Sequence, residues 1–164
     1  MRVSKILLVA LVALGPAVLV TRAQDGGHDG KAEGHVALNA DDLKWGDAPP
    51  FLPPGAKAVV LAGDPAKEGE FTLRLKFPKD YKVPAHWHPT SEHVTVISGS
   101  FHIGTGDKLD PAAGKELKAG GFTLLPAKTH HFAWASEETI VQVHGMGPFA
   151  INYLNPDDDP RNKK

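Results

Sequence analysis

The 164-residue sequence contains no cysteine. Disulfide bridges, thiolate metal sites and cysteine nucleophiles are therefore excluded. A chain of this length without disulfides depends on its hydrophobic core, or on a bound metal ion, for stability. The content of hydrophobic residues, 41 %, and of charged residues, 23 %, is ordinary for a globular protein.

The sequence also lacks an excess of positive charge. Its 18 Lys and Arg residues are balanced by 19 Asp and Glu residues, so the formal net charge is −1. A protein that binds nucleic acid needs a basic patch or stripe to contact the phosphates. No such stripe is present, and we expect no nucleic-acid partner.

Long apolar runs are absent except near the N-terminus. Arg2 and Lys5 precede an apolar run over residues 6–20, and small residues follow it before Gln24. This pattern predicts a secretory signal peptide over residues 1–23 and an exported protein, periplasmic or secreted. The alternative is an uncleaved membrane anchor, but the run is shorter than the ~20 residues that a span needs. After cleavage we expect no membrane association, and the formal charge becomes −4.

The rest of the chain divides by composition into three parts. Residues 24–37 are Gly-rich and polar, which is typical of a flexible linker. Residues 155–164 carry many charges and two prolines, which predicts a loosely packed polar tail. The folded domain is therefore expected over residues 38–154.

Within this domain, apolar and polar residues alternate. Phe71, Leu73, Leu75 and Phe77 are separated by polar residues, which is typical of a half-buried strand. The turn residues between the runs are frequent, with 17 Gly and 14 Pro in the chain, and residues 110–118 allow a turn of helix at most. This pattern predicts an all-β antiparallel sandwich or barrel. Further short runs lie at residues 59–61, 92–97, 101–104, 122–125, 132–135, 139–143 and 149–154.

His86 and His88 form an i, i+2 pair in the segment His86-Trp87-His88. On a strand, alternate residues face the same side, so both imidazoles would point in one direction. Such a pair on a solvated surface is the alternative to a binding site. Two imidazoles directed into a barrel together with an acid indicate a cation, because unpaired buried charges are costly.

Glu92 is the acid that the spacing brings to this pair. It opens a predicted strand in which Glu92, Val94 and Val96 share one face, and His93 lies on the other. Because the apolar members of a strand face the core, Glu92 rather than His93 is the expected ligand. A divalent cation would compensate the buried charge and bind all of these groups.

Two segments resemble the sequence motifs of the cupin superfamily. The first motif is matched at His86, His88, Glu92 and Gly99, and the second at Gly120, Pro126 and His131. Asp80, Lys128 and Ala135 stand where the family has Gly, Gly and Asn. These three positions shape turns, and none of them is a metal ligand in the family.

The resemblance implies an antiparallel double-stranded β-helix, the jelly-roll barrel of cupins. It also implies that His86, His88, Glu92 and His131 bind one divalent transition metal ion. This ligand set suits Fe, Mn, Ni, Cu or Zn, and the affinity order alone does not select one of them. If the ion takes six ligands, two positions stay open, which is typical of a catalytic metal.

Gln142 and His144 share one face of a predicted strand and are the further candidates for the pocket. His144 is interpreted either as a residue at the pocket rim or as a general base. Catalytic residues are otherwise not assigned by the sequence.

The leading functional hypothesis is a metal-dependent enzyme acting on a small organic molecule, of dioxygenase, lyase or isomerase type. The alternative is a non-catalytic protein that binds or senses a metal ion or a small ligand. The resemblance to cupins, which often pair through edge strands, also suggests a homodimer.

Overall fold

Eleven short strands make up most of the regular structure in the computed structural model, which describes residues 34–163. The predicted signal peptide and the linker up to residue 33 lie outside the described residues. Within the described part, no helix is long and apolar enough to cross a membrane. The strands are β1 (Gly46–Asp47), β2 (Lys57–Ala62), β3 (Gly69–Phe77), β4 (Lys82–Trp87), β5 (Glu92–Ser98), β6 (Ser100–Thr105), β7 (Lys115–Lys118), β8 (Phe122–Leu125), β9 (His131–Ala135), β10 (Thr139–Gly147) and β11 (Asn152–Tyr153).

The strands form two sheets in which every pairing is antiparallel. One sheet has the order β1-β2-β3-β10-β5-β8, and the other has the order β11-β4-β9-β6-β7. Strands distant in sequence are therefore neighbours, as in the pairs β3–β10 and β4–β9. This is the double-stranded β-helix, so the all-β prediction is confirmed.

The core lies between the two sheets and follows from the alternation seen in the sequence. Phe71 and Phe77 of β3 are buried, as are Val94 and Val96 of β5. From the opposite sheet, Phe101 joins the same hydrophobic cluster. Each fully buried side chain of this size contributes about 1.5–3 kcal/mol, so the core accounts for the stability of a chain without disulfides.

Two segments contain regular structure that the sequence analysis did not predict. Where residues 110–118 allowed a helical turn at most, Pro111–Ala113 forms one 3-10 turn and residues 115–118 form the edge strand β7. The sequence of β7 shows no clear alternation of apolar and polar residues, because Leu117 is the one residue of this edge strand that packs against the core. The C-terminal residues form 3-10 turns at Pro156–Asp158 and Pro160–Asn162.

The second of these C-terminal turns is tied to the domain. The side chain of Asp159 accepts a hydrogen bond from the backbone N–H of Arg161, and the two side chains form an ion pair. Arg161 also donates a hydrogen bond to the Ile151 carbonyl at 3.3 Å. Local capping by polar side chains thus orders a segment whose composition suggested a loose tail.

Two of the positions at which the sequence departs from the cupin motifs keep the backbone shape of glycine. Asp80 has φ 63° and Lys128 has φ 64°, and these are the residues other than glycine with positive φ in the described chain. This left-handed conformation costs a residue with a side chain roughly 1–2 kcal/mol. The turn at Lys128 is held because its backbone N–H donates to the His88 carbonyl at 2.8 Å.

We therefore expect Lys128→Gly to raise the free energy of unfolding by about 1 kcal/mol, because the substitution relieves the left-handed strain. Urea unfolding followed by circular dichroism measures this change. Lys128→Ala is the matched control, since it removes the same side chain but keeps Cβ and gives no gain. Equal stabilisation by both variants would show that the lysine side chain, and not the backbone, is responsible.

Candidate metal centre

Three histidines meet at one end of the barrel interior. His86 near the end of β4 pairs with His131 at the start of β9, and their ring centroids are 4.1 Å apart. His88 follows directly after β4, with its ring 4.9 Å from that of His86 and 5.2 Å from that of His131. All three side chains are buried. One ligand atom from each imidazole lies within 4.8 Å of the others, so the three could hold a metal ion.

Glu92 approaches this cluster from the opposite sheet, where it is the first residue of β5. Its Oε2 atom lies 3.3 Å from Nε2 of His131 and 3.5 Å from Nε2 of His88. The structure therefore brings together the four residues that the cupin resemblance implied. His93, the next residue, lies on the outer face of the sheet, with its ring beside that of His144.

Backbone carbonyl groups fix the orientation of each imidazole ring. A carbonyl oxygen only accepts hydrogen bonds, so each Nδ1 atom that contacts one must carry the hydrogen. In a neutral ring, Nε2 is then the atom with the free lone pair, and it points to the centre of the cluster. Such outer partners are typical of metal-binding histidines. The Nδ1 donors and their acceptors are His86 and Pro84 at 2.7 Å, His88 and Ala150 at 2.7 Å, and His131 and Thr129 at 2.9 Å.

The Nε2 atom of His88 is buried and has no hydrogen-bond partner among the described residues. A buried polar atom without a partner costs about 1–3 kcal/mol. A metal ion at the centre would give this atom a ligand bond. The donor set and its unsatisfied atom therefore fit the metal that the sequence motifs implied.

The electrostatics favour neutral imidazoles at His86 and His88 beside a charged carboxylate at Glu92. Burial, followed by the neighbouring imidazoles of His131 and His88, lowers the pKa of His86 to about 3. Burial also lowers the pKa of His88. Burial alone would raise the pKa of Glu92, but the positive charge that the surrounding imidazoles take up in acid outweighs the burial and lowers that pKa to about 2. These are the protonation states in which the groups bind a metal ion.

A cavity of about 250 Å³ adjoins the cluster inside the barrel. His86, His88 and Glu92 line one part of it, and every other lining side chain among the described residues is apolar. Val141 and Val143 of β10 form part of the wall. Ligands that reach the cluster through this cavity therefore pass along hydrophobic surfaces.

The structure does not bring the two pocket candidates, Gln142 and His144, into this cavity. Gln142 accepts a hydrogen bond from Nε of Arg74 at 3.1 Å, and the ring of His144 lies 4.7 Å from that of His93. Val141 and Val143 alternate with them and occupy the inner face of β10. The prediction assigned the polar face of this strand to the pocket, whereas the interior beside β10 is apolar.

Two aromatic residues that the sequence analysis did not single out pack against the cluster. The ring of Phe149 stacks on that of His88, with centroids 4.2 Å apart and planes inclined by 20°. The ring of Tyr153 lies 5.9 Å from that of His86. Both residues follow β10 in the chain. An aromatic residue in a short apolar run is expected to pack in the core, so nothing in the sequence indicated that these two contact the histidines.

The fold and the arrangement of the cluster define this protein as a member of the cupin superfamily. The chain belongs more specifically to the family described as the ChrR cupin-like domain, whose profile matches residues 33–150. No relative was found among proteins of curated function.

Several solved structures share the fold with this chain at low sequence identity. A candidate acetylacetone dioxygenase from Methylibium petroleiphilum has a TM-score of 0.59 and 19 % identity, with 78 % of this chain and 86 % of that chain covered. The polyketide cyclase RemF from Streptomyces resistomycificus has a TM-score of 0.59 and 13 % identity, with 77 % and 90 % covered. An RmlC-like cupin from Shewanella frigidimarina has a TM-score of 0.54 and 19 % identity, with 70 % and 91 % covered.

The pKa of His86 predicts how the metal-free protein responds to acid. The folded state keeps His86 neutral down to a pKa of about 3, whereas the unfolded chain takes up a proton below the ordinary value of 6.5. The stability is therefore fully present above about pH 6.5 and falls as the pH drops from 6.5 towards 3. The slope is about 1.4 kcal/mol per pH unit for each such histidine. Below the ordinary pKa of Glu92, 4.5, this carboxylate adds a loss in the same direction.

Chemical denaturation of the metal-free protein between pH 7 and 5 measures this slope. His86→Gln is expected to reduce it by the contribution of one proton. Tyr153→Phe alters the packing beside His86 without removing the imidazole, and its slope should equal that of the wild type. A wild-type stability that stays constant over this range would contradict the neutral state of the buried imidazoles.

Proposed function

We propose that this protein binds one divalent transition metal ion through His86, His88, Glu92 and His131 and that it is a metal-dependent enzyme for a small organic molecule. The observation that carries the proposal is the convergence of buried Nε2 atoms and one carboxylate oxygen beside an internal cavity. The chemistry of these ligands suits Fe, Mn, Ni, Cu or Zn. When bound, the ion supplies Lewis acidity and, if it is redox-active, a site for dioxygen.

The position of the cluster at the cavity wall supports an open metal centre. His86, His88 and Glu92 each contact the cavity, so ligand positions not used by the protein would face it. A structural metal site is instead closed by protein ligands on all sides. The apolar walls would exclude water from the reacting groups and strengthen the electrostatic interactions there.

Glu92 is the residue best placed to move a proton. It is the one carboxylate that lines the cavity in the described part of the chain. Because it faces the cavity, it could accept a proton from a molecule bound there if it leaves the metal ion. The dioxygenase, lyase and isomerase types all need such a group or the metal itself.

A specific observation also favours the second candidate, a non-catalytic protein that binds or senses a small ligand. Apart from the cluster, the described lining of the cavity offers no titratable side chain. An enzyme that needs a separate acid and base would lack one of them. Binding of an apolar ligand at the metal centre needs neither.

We also propose that the protein is exported and forms a homodimer. The pattern of residues 1–23 supports export. The edge strand β8 supports pairing, because the side chains of Phe122 and Leu124 are 55 % and 50 % exposed there. Fractionation of cells and size-exclusion chromatography test these two points separately.

Metal content is the first test of the proposed function. We expect the purified protein, prepared without a His tag, to hold about one metal ion per chain in elemental analysis. His88→Ala should lower the metal affinity by more than the 10–100-fold that the loss of an outer partner costs, because it removes a ligand and not a supporting group.

His93→Ala is the matched control for this experiment. It removes an imidazole from the outer face of the same sheet that carries Glu92 and should leave the metal content unchanged. The proposal would be contradicted if the protein stayed metal-free after dialysis against each of the five metals. It would also be contradicted if His93→Ala lost as much metal as His88→Ala.

Turnover distinguishes the enzyme from the binding protein. Oxygen uptake and product formation are measured with the metal-loaded protein on a panel of small phenolics, thiols and keto acids. For an enzyme we expect turnover that disappears in His88→Ala and in Glu92→Gln. Binding of panel members without turnover for any metal would establish the second candidate instead.

A further inference from the structure

The polar and apolar parts of the cavity are separated. Its polar groups belong to the metal cluster and therefore lie together, whereas the rest of the described lining is apolar. The aromatic side chains of Phe51, Phe77, Phe101 and Phe149 contribute to this apolar part. A ligand that fills the space would meet polar partners at one end only.

Two basic side chains are adjacent in sequence to cavity-lining residues, but the alternation of the strand directs them to the outside of the barrel. Arg74 and Lys76 alternate along β3 with Leu73, Leu75 and Phe77, which line the cavity. Arg74 hydrogen-bonds Gln142 at 3.1 Å, and Nζ of Lys76 lies 4.8 Å from the centre of the Trp45 ring. No described cavity-lining residue carries a permanent positive charge. A carboxylate or phosphate on the body of a ligand would be buried there without a partner, which is costly.

The size of the cavity limits the ligand as well. Its volume is about 250 Å³, and one water molecule occupies about 30 Å³ of the liquid. The space corresponds to roughly eight waters, or to an organic molecule with on the order of ten non-hydrogen atoms. Sugars of this size would leave hydroxyl groups against apolar walls without hydrogen bonds.

We propose that the cavity takes a neutral, mainly apolar molecule of about ten non-hydrogen atoms whose oxygen donors lie at one end. The donor end would face the cluster, so this part of the inference rests on the proposed metal site. The exclusion of charge from the body of the ligand rests on the cavity walls alone. The class includes small phenols, catechols and β-dicarbonyl compounds and excludes sugar phosphates and dicarboxylates.

Two catechols test the proposal because they share a chelating end and differ at the other. Isothermal titration of the Zn²⁺-loaded protein is carried out with 4-methylcatechol and with 3,4-dihydroxybenzoate, without oxygen. We expect 4-methylcatechol to bind at least about tenfold more tightly, because the carboxylate has no partner in the cavity. The methyl ester of 3,4-dihydroxybenzoate controls for size and should bind more tightly than the acid. Binding of the acid as tightly as 4-methylcatechol would overturn the proposal.

A positive charge placed at the mouth of the cavity should reduce this preference for 4-methylcatechol. Val60 lines the cavity but is 49 % exposed, so Val60→Lys is compatible with folding. We expect this variant to gain about tenfold in affinity for 3,4-dihydroxybenzoate and little for 4-methylcatechol. Val59→Lys, on the same strand but not in the cavity lining, is the matched control and should change neither affinity. Equal gains in both variants would show a general charge effect and would contradict the proposed role of the cavity.

The metal-free protein separates failure of this inference from failure of the proposed function. Toluene and benzoate need no metal ion, and NMR titration measures their binding. We expect toluene to bind and benzoate not to bind at the same concentration. If toluene fails to bind, the apolar cavity is not a ligand site, whatever the metal content. If toluene binds but elemental analysis and dialysis show that the protein takes up no metal ion, the proposed metal centre is wrong and the proposed apolar ligand site is still supported.

Discussion

The folded chain directs three imidazole nitrogens and one carboxylate towards the same buried point. Each of these groups accepts hydrogen bonds, and Nε2 of His88 has no donor within reach among the described residues. Most folded proteins avoid such an arrangement, because buried acceptors without partners oppose folding. A divalent cation would remove this cost, and the same bonds that satisfy the acceptors would then stabilise the fold.

The architecture explains how these groups are held in place. His86 and His131 come from neighbouring strands of one sheet, and Glu92 comes from the other sheet. A metal ion bound to all of them would link the two sheets across the core. The three imidazoles donate hydrogen bonds to backbone carbonyl groups of the protein itself. Their ring orientations therefore do not depend on a bound ion. Preorganisation of this kind reduces the cost of binding.

The sequence was informative where spacing and burial agreed. The i, i+2 spacing of His86 and His88 and the position of Glu92 ahead of Val94 placed these residues on inward faces. The all-β class followed from the short alternating runs, whereas the double-stranded β-helix was implied by the resemblance to the cupin motifs. The same reasoning failed for Gln142 and His144, because the alternation on β10 does not say which face meets a pocket. There the interior is apolar, and the polar face of the strand bonds to Arg74 and packs beside His93 instead.

The metal-binding cluster and the apolar walls of the cavity are formed by largely different residues, and each set would have its own role. In the proposed function, the four residues of the cluster would decide whether a molecule can be bound by a metal ion or transformed, since they would supply the charge and the lone pairs. The apolar walls would then select the molecule that binds, through the size of the cavity and the absence of charged partners in its lining. The walls come from several strands and loops. Phe149 is both a wall residue and a stacking partner of His88, so substitutions there would reach the cluster. A fold arranged in this way can keep one metal chemistry and acquire new ligands by substitutions at positions such as Val60, which contact the cavity but not the cluster.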